Sequence, residues 1–188
     1  MMELFPVLEL GWLNGWIMFA LFLIVEGASL LALNRDVAKR LFEFDRSTWS
    51  GRQRASFAMG KLLALICIIL FFLTPLKTGS TVFYLGTTTF VLGLFGLVVA
   101  LHNFNNSPLD RPVAIGLYRF SRHPQLVALF FVTLGICIAI GSWTAVLVRI
   151  AASRFQHAGV IAEENECLRR FGDSYREYME NVPRYLLL

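Results

Sequence analysis

The sequence predicts an all-α integral membrane protein with about five transmembrane helices, the last two forming a helical hairpin, followed by a C-terminal amphipathic helix. Three observations lead there. Of the 188 residues, 56% are hydrophobic and only 16% charged, against roughly 25% charged in an average soluble domain. Mean hydropathy is +0.61. The apolar residues gather into five runs, most of them near the ~20 residues that a helix needs to cross a bilayer, and the basic residues gather between alternate runs.

The N-terminal stretch Met1–Leu10 carries Glu3 and Glu9 but no basic residue. It lacks the positive region and the cleavage site of a signal peptide, so the first apolar run, Trp12–Leu33, is expected to stay in the protein. Glu26 lies inside that run, and an intramembrane carboxylate is a functional candidate by default, here with no partner that the sequence names. The loop Asn34–Ser56 mixes Arg35, Lys39, Arg40, Arg46, Arg52 and Arg54 with Phe42, Phe44 and Trp49. That mixture suits an interfacial segment on anionic headgroups, or a plain topogenic loop. The second and third runs are Phe57–Leu76 and Thr81–Leu101, with Gly93 and Gly96 read as helix-packing positions.

The fourth run, Leu126–Ile140, is short. Counted from Gln125 it reaches ~24 Å at 1.5 Å per residue, then turns through Gly141-Ser142 into the fifth, Trp143–Ala162. From Glu163 to Arg184 the residues Leu168, Phe171, Tyr175, Tyr178 and Val182 recur at helical spacing with charges opposite. Gly172 in the middle weakens that helix by ~1 kcal/mol and marks a point of breakage.

Basic residues orient the chain. Those of the first loop, Arg111, Arg119 and Arg122 of the third, and Arg169, Arg170, Arg176 and Arg184 of the tail share one side, against Lys77 opposite. The positive-inside rule then puts the large loops and the C-terminus in the cytoplasm and the N-terminus outside. The sequence pI of 9.2 has the same explanation and implies no nucleic acid. Three cysteines, with Cys67 and Cys137 inside apolar runs, make no disulfide framework.

Two polar clusters flank the hairpin: Arg122-His123-Pro124 before it and Glu163-Glu164 after it. If the hairpin folds back, both return to the cytoplasmic face. Together they suit a ligand with a carboxylate, an ammonium and a third, reactive group, and S-adenosylmethionine is such a ligand. With the fifth run as a helix, Ser153, Gln156, His157, Glu163 and Glu164 all fall within about 80° of Arg149 at 100° per residue. A polar stripe in a membrane helix must face protein or a watery space, and this one extends ~21 Å from Arg149 to Glu163, the length of a tunnel wall. A structural role for Arg149 and Arg154, by snorkelling or pairing, is the competing account. His102 and His157 have no metal-ligand spacing with His123, so no metal is expected. No glycine-rich loop of the dinucleotide or phosphate-binding kind occurs.

Gly116-Leu117-Tyr118, Arg122-His123-Pro124, Glu163-Glu164, Phe171-Gly172, Tyr175, Tyr178 and Val182-Pro183-Arg184 resemble the isoprenylcysteine carboxyl methyltransferase and phospholipid methyltransferase superfamily. The resemblance runs from about His102 to Arg184. It implies one membrane methyltransferase domain over 1–188, with three N-terminal spans in 1–101 and an S-adenosylmethionine-binding region in 102–188. Carried over by position, the cofactor contacts fall on Asn103, Pro112, Val113, Tyr118, His123, Pro124, Leu126 and Glu163. The chemistry of the residues adds Arg122 and His123 for the methionine carboxylate, and Glu163 or Glu164 for its ammonium. The chain departs from the family at Leu126, where a tyrosine is usual, and at Gly159, where the carboxyl methyltransferases place a substrate-contacting arginine. Arg149, Arg154 and His157 are the candidate substrate residues in its stead, and no catalytic base is assigned.

The expected function is methyl transfer from S-adenosylmethionine to an amine, carboxylate or thiol on a lipid or other apolar molecule. The alternatives are a sterol-type membrane reductase using NADPH, and a small transporter or structural membrane protein.

Overall fold

The computed structural model describes residues 1–42 and 49–186. They form seven α-helices: α1 (Trp16–Leu31), α2 (Arg35–Phe42), α3 (Gly51–Leu73), α4 (Thr81–Asn105), α5 (Pro124–Ala139), α6 (Trp143–Phe171) and α7 (Asp173–Asn181), with a 3-10 turn at Gly116–Arg119 before α5. No strand occurs among the described residues beyond two isolated bridges, Glu3 with Ser142 and Asn14 with Pro75. The expected interfacial loop rests partly on Phe44, Arg46 and the Phe42 side chain, which lie outside this description.

Two helices, α3 and α4, are long and apolar enough to cross a bilayer, and α1 and α5 are shorter apolar helices. Their outward faces carry exposed Leu23, Ile24, Leu62, Leu65, Leu85, Leu92 and Phe95. A monomeric soluble protein rarely presents so much contiguous apolar surface, so the chain is membrane-associated. The core between the helices is built from Phe71, Phe90, Leu97, Val132, Ile136, Cys137 and Ile140, each under 4% exposed.

Local chemistry fixes the helix ends. Ser50 caps α3 by accepting from the Gln53 amide while Gln53 reaches back to the Ser50 amide, a reciprocal capping box. Ser80 and Ser142 cap α4 and α6 by accepting from Phe83 and Ala145, and Pro124 opens α5 at its first turn. Gly141, at φ 69°, makes the reversal between α5 and α6.

One sequence expectation is corrected at α6. The fifth run and the first part of the tail are a single 29-residue helix, because nothing from Ala162 to Phe171 interrupts helical spacing. The break comes at Gly172, whose φ of 56° lies in the left-handed region. The separate tail helix is therefore only the nine residues of α7.

The tightest crossing is α4 on α5, where glycine removes the side chain that would hold the backbones apart. A Cβ on Gly93 would stand 2.5 Å from the Val132 amide nitrogen, one on Gly86 2.3 Å from that of Ala139, and one on Gly135 2.5 Å from that of Phe90. Gly96 differs, since its Cβ would meet only the Ala128 side chain at 3.6 Å. Gly93→Ala should therefore cost about 1–3 kcal/mol by overpacking, and Gly96→Ala close to nothing. Thermal unfolding of both variants in detergent checks the contrast; equal losses would contradict it.

The N-terminal segment lies at the end of the bundle that carries the α5–α6 turn. Glu3 exchanges backbone hydrogen bonds with Gly141 and Trp143, and its carboxylate meets Lys77 Nζ at 2.8 Å. Both motif clusters sit at the other end.

Candidate functional site

The α5–α6 hairpin brings the two clusters together. His123, immediately before α5, places Nε2 3.2 Å from Glu164 Oε1, and Nδ1 3.8 Å from Glu163 Oε2. Consecutive residues on a helix diverge by 100°, so the two glutamates face different surroundings.

Glu164 points into the protein with its side chain 3% exposed. Arg122 Nε approaches its Oε1 at 3.2 Å. Arg184 reaches it through both Nε and Nη2, with the shortest contact at 2.7 Å. Burial alone would raise this carboxyl, but the hydrogen bonds of His123 and Arg184 and the charge of Arg122 outweigh it and hold the group down to about 2. His123 thus faces both glutamates, Glu164 through Nε2 and Glu163 through Nδ1. The same region docks α7 and the segment after it. The Arg122 amide donates to the Pro183 carbonyl, Ser121 Oγ donates to the Arg184 carbonyl, and Tyr178 donates to the Tyr118 carbonyl at 2.7 Å.

Glu163 faces a cavity of about 290 Å³ instead, near the lower end of the ~300–1,000 Å³ usual for small-molecule sites. Its side chain is 47% exposed and lines that space. Burial raises its carboxyl above the ordinary value, and the neighbouring Glu164 charge adds to this against the opposing pull of His123. The walls come from Pro112, Val113 and Tyr118 before α5, Arg122, His123 and Leu126 at its start, Glu163 and Cys167 on α6, and Tyr175 and Tyr178 on α7. The two Nη groups of Arg122 donate to no described residue, although the side chain is 8% exposed. Gln125 donates to the Tyr118 hydroxyl at 2.9 Å and fixes that ring against the cavity.

Arg40 of α2 closes one wall. It donates to the carbonyls of Pro108 and Arg111, and its guanidinium lies 5.5 Å from the Phe104 ring centre and 5.3 Å from that of Phe171. The sequence offers Arg40 only as one of the basic residues of an interfacial or topogenic loop. Its role depends on a contact between α2 and the loop after α4, a separation that no local pattern signals.

A second space of about 510 Å³ adjoins the first. Leu41, Leu126 and Glu163 line both. This chamber runs along the inner faces of α3, α5 and α6 among Phe57, Ala64, Ile68, Phe71 and Leu129, and it includes Lys61, Thr133, Arg149 and Gln156. Part of the expected tunnel wall is thus present: Arg149, Gln156 and Glu163 of the α6 stripe line it. Gly159 also lines it, with the rings of Phe57 and Trp49 packed over the place where a side chain would begin. Arg154 is exposed and stands outside the chamber, while His157 engages the Tyr185 hydroxyl at 2.9 Å.

Of the sequence-named cofactor residues, Pro112, Val113, Tyr118, Arg122, His123, Leu126 and Glu163 meet at one cavity. Asn103, Pro124 and Glu164 do not line it. Asn103 lies beneath the Gly116 turn, where a Cβ would come within 2.0 Å of its amide nitrogen, and that nitrogen is buried with no described acceptor. No group of three or more metal-ligating side chains occurs among the described residues.

Comparison with known proteins gives one partial likeness. Over 72 residues the chain is 32% identical to the Protein-S-isoprenylcysteine O-methyltransferase of Schizosaccharomyces pombe, a stretch covering 38% of this chain and about 30% of the length of that curated relative. No family model matches, and no solved structure matches. The likeness supports a relation to isoprenylcysteine methyltransferases at most, over less than a third of that relative's length.

Proposed function

We propose that this protein is a membrane-embedded methyltransferase that takes its methyl group from S-adenosylmethionine and passes it to an apolar or lipid-like acceptor. The observation that carries this reading is the position of Glu163, the carboxylate shared by a polar, cofactor-sized cavity and an apolar chamber between membrane helices.

The cavity suits the donor. Glu163 offers a carboxylate to an ammonium, the free Nη groups of Arg122 offer donors to a carboxylate, and Pro112, Val113 and Tyr118 offer an apolar wall to an adenine. Glu164 is the poorer ammonium ligand, since three cationic or donor side chains already occupy it. When bound, S-adenosylmethionine supplies an electrophilic methyl on a sulfonium. The protein's part is to align the acceptor in line with that methyl, which is worth ~7–11 kcal/mol of barrier, and to keep water from the junction at Leu41, Leu126 and Glu163. No protein base is assigned to the transfer.

In the membrane, α1, α3, α4, α5 and residues 143–162 of α6 are spans, with α1 and α5 the shortest at 16 residues each, and the basic loops face the cytoplasm by the positive-inside rule. The donor then arrives from the cytoplasm and the acceptor from the bilayer. A phosphate-bearing nicotinamide cofactor is the second reading, favoured by Arg40, Arg122 and Arg170 on the cavity walls.

Membranes containing the chain, incubated with methyl-labelled S-adenosylmethionine and then extracted into organic solvent, should yield a labelled lipid-phase product. Membranes carrying the Glu163→Gln variant should yield far less at a limiting concentration of the donor. Label that appears equally in both would contradict the assignment.

A further inference from the structure

Arg149 is a charge in the wrong solvent. It lies two turns into α6 from the α5–α6 reversal, is 8% exposed, and lines the apolar chamber. An arginine at such depth is strongly disfavoured unless paired or watered. Its partners are all neutral: Nε donates to Thr133 Oγ1, Nη1 donates to Ser153 Oγ at 3.0 Å, and the guanidinium stacks 5.0 Å from the Phe130 ring centre.

Among the described residues no carboxylate forms an ion pair with Arg149, and its Nη2 donates to none of them. Nor is Nη2 enclosed: it is not among the buried side-chain atoms left without a partner. Three fixed neighbours thus hold a guanidinium in one pose with a donor free, which is the preorganisation that oxyanion recognition needs.

The rest of the chamber agrees in sign. Its other cation, Lys61, lies 5.1 Å from the Phe57 ring centre and has no ion-pair partner among the described residues. Its carboxylate, Glu163, belongs to the junction with the first cavity. Thr133, which sets the guanidinium's depth, follows Leu126 of the junction by seven residues of α5, or ~10 Å along the axis. A plain hydrocarbon chain filling the chamber would leave the guanidinium uncompensated.

We propose that Arg149 determines acceptor specificity by pairing with an oxyanion, a carboxylate or phosphate, that the acceptor carries roughly 10 Å from its methylated end. This rests on the reading of the chamber as the acceptor site. The acceptor is then polar at both ends of an apolar chain, with one end at the junction beside Glu163 and the other at Arg149.

The test uses the full chain in detergent with three fluorescent probes of equal chain length: a fatty acid, an alkyl phosphate and the fatty alcohol. At least one oxyanion probe should bind about tenfold or more tightly than the alcohol, as a charge-assisted contact in a buried site provides. The tighter of the two oxyanions names the source. Arg149→Met should erase the preference, and Arg149→Lys should keep only part of it.

An alcohol bound as tightly as both oxyanions, or a preference that survives Arg149→Met, would overturn the proposal and leave Arg149 a structural strut. Should Arg149→Met not fold, the wild-type preference and its reduction in Arg149→Lys decide the matter. S-adenosylhomocysteine binding, measured on the same samples, separates the two claims. Its loss in the wild type would sink the methyltransferase reading, whereas its presence without a probe preference would sink this inference alone.

Discussion

Glu164→Ala should destabilise the protein by about 3–5 kcal/mol, because it strands buried charge that the carboxylate now balances. Arg122 and His123 have side chains 8% and 6% exposed, and neither has another described carboxylate as close. Arg184 would lose both arms of its bidentate contact. The docked segment Val182–Tyr185 should then detach, since its remaining anchors are the backbone contacts at Ser121 and Arg122 and the His157–Tyr185 bond. Thermal unfolding in detergent and protease cleavage after α7 both read this out; unchanged unfolding would contradict it.

The pH dependence has a definite sign. The folded carboxyl titrates at about 2, below its ordinary value of 4.5. Its contribution is therefore full above that ordinary value and is lost as pH falls from there through about 2. Acid release of the tail should follow this window in the wild type and be absent in the variant.

Glu163→Gln should behave in the opposite way. The side chain stands half exposed beside the cavity and its nearest basic side chain is His123, with Nδ1 at 3.8 Å, so the unfolding midpoint should hardly move. Binding of S-adenosylhomocysteine, which keeps the ammonium and carboxylate of the donor, should weaken by about one to two orders of magnitude, the ~1.5–3 kcal/mol of a hydrogen bond to a charged group. The Glu163 carboxyl sits above the ordinary range because of burial, so wild-type affinity should fall as pH drops through that raised value. The variant should lose this dependence. Equal binding by wild type and variant at every pH would remove Glu163 from the site.

These opposite outcomes mark what was legible beforehand. That Arg122-His123-Pro124 and Glu163-Glu164 would meet followed from the apolar hairpin between them, and the 3.2 Å contact of His123 with Glu164 bears that out. Which glutamate faces the cavity was not legible. It depends on the rotation of α6, which the packing of α3 against Gly159 helps to fix, and on Arg184, a partner 20 residues away. The polar stripe of α6 was readable from its period, but His157 left it for Tyr185, while Arg154, off the stripe by its period, faces solvent. The stripe covers about 120° of arc and the chamber takes only part of it. Gly93 was recognisable as a packing glycine. Gly86 and Gly135 were not, because a glycine's use depends on what the facing helix brings to it.

The central claim, that the cavity under the hairpin holds S-adenosylmethionine, is tested most directly by equilibrium titration of the purified full chain with S-adenosylhomocysteine and, separately, with NADPH. Saturable binding of S-adenosylhomocysteine that is tighter than that of NADPH, and that Glu163→Gln weakens, is the predicted result. Tighter binding of NADPH, or S-adenosylhomocysteine binding indifferent to Glu163, would contradict it.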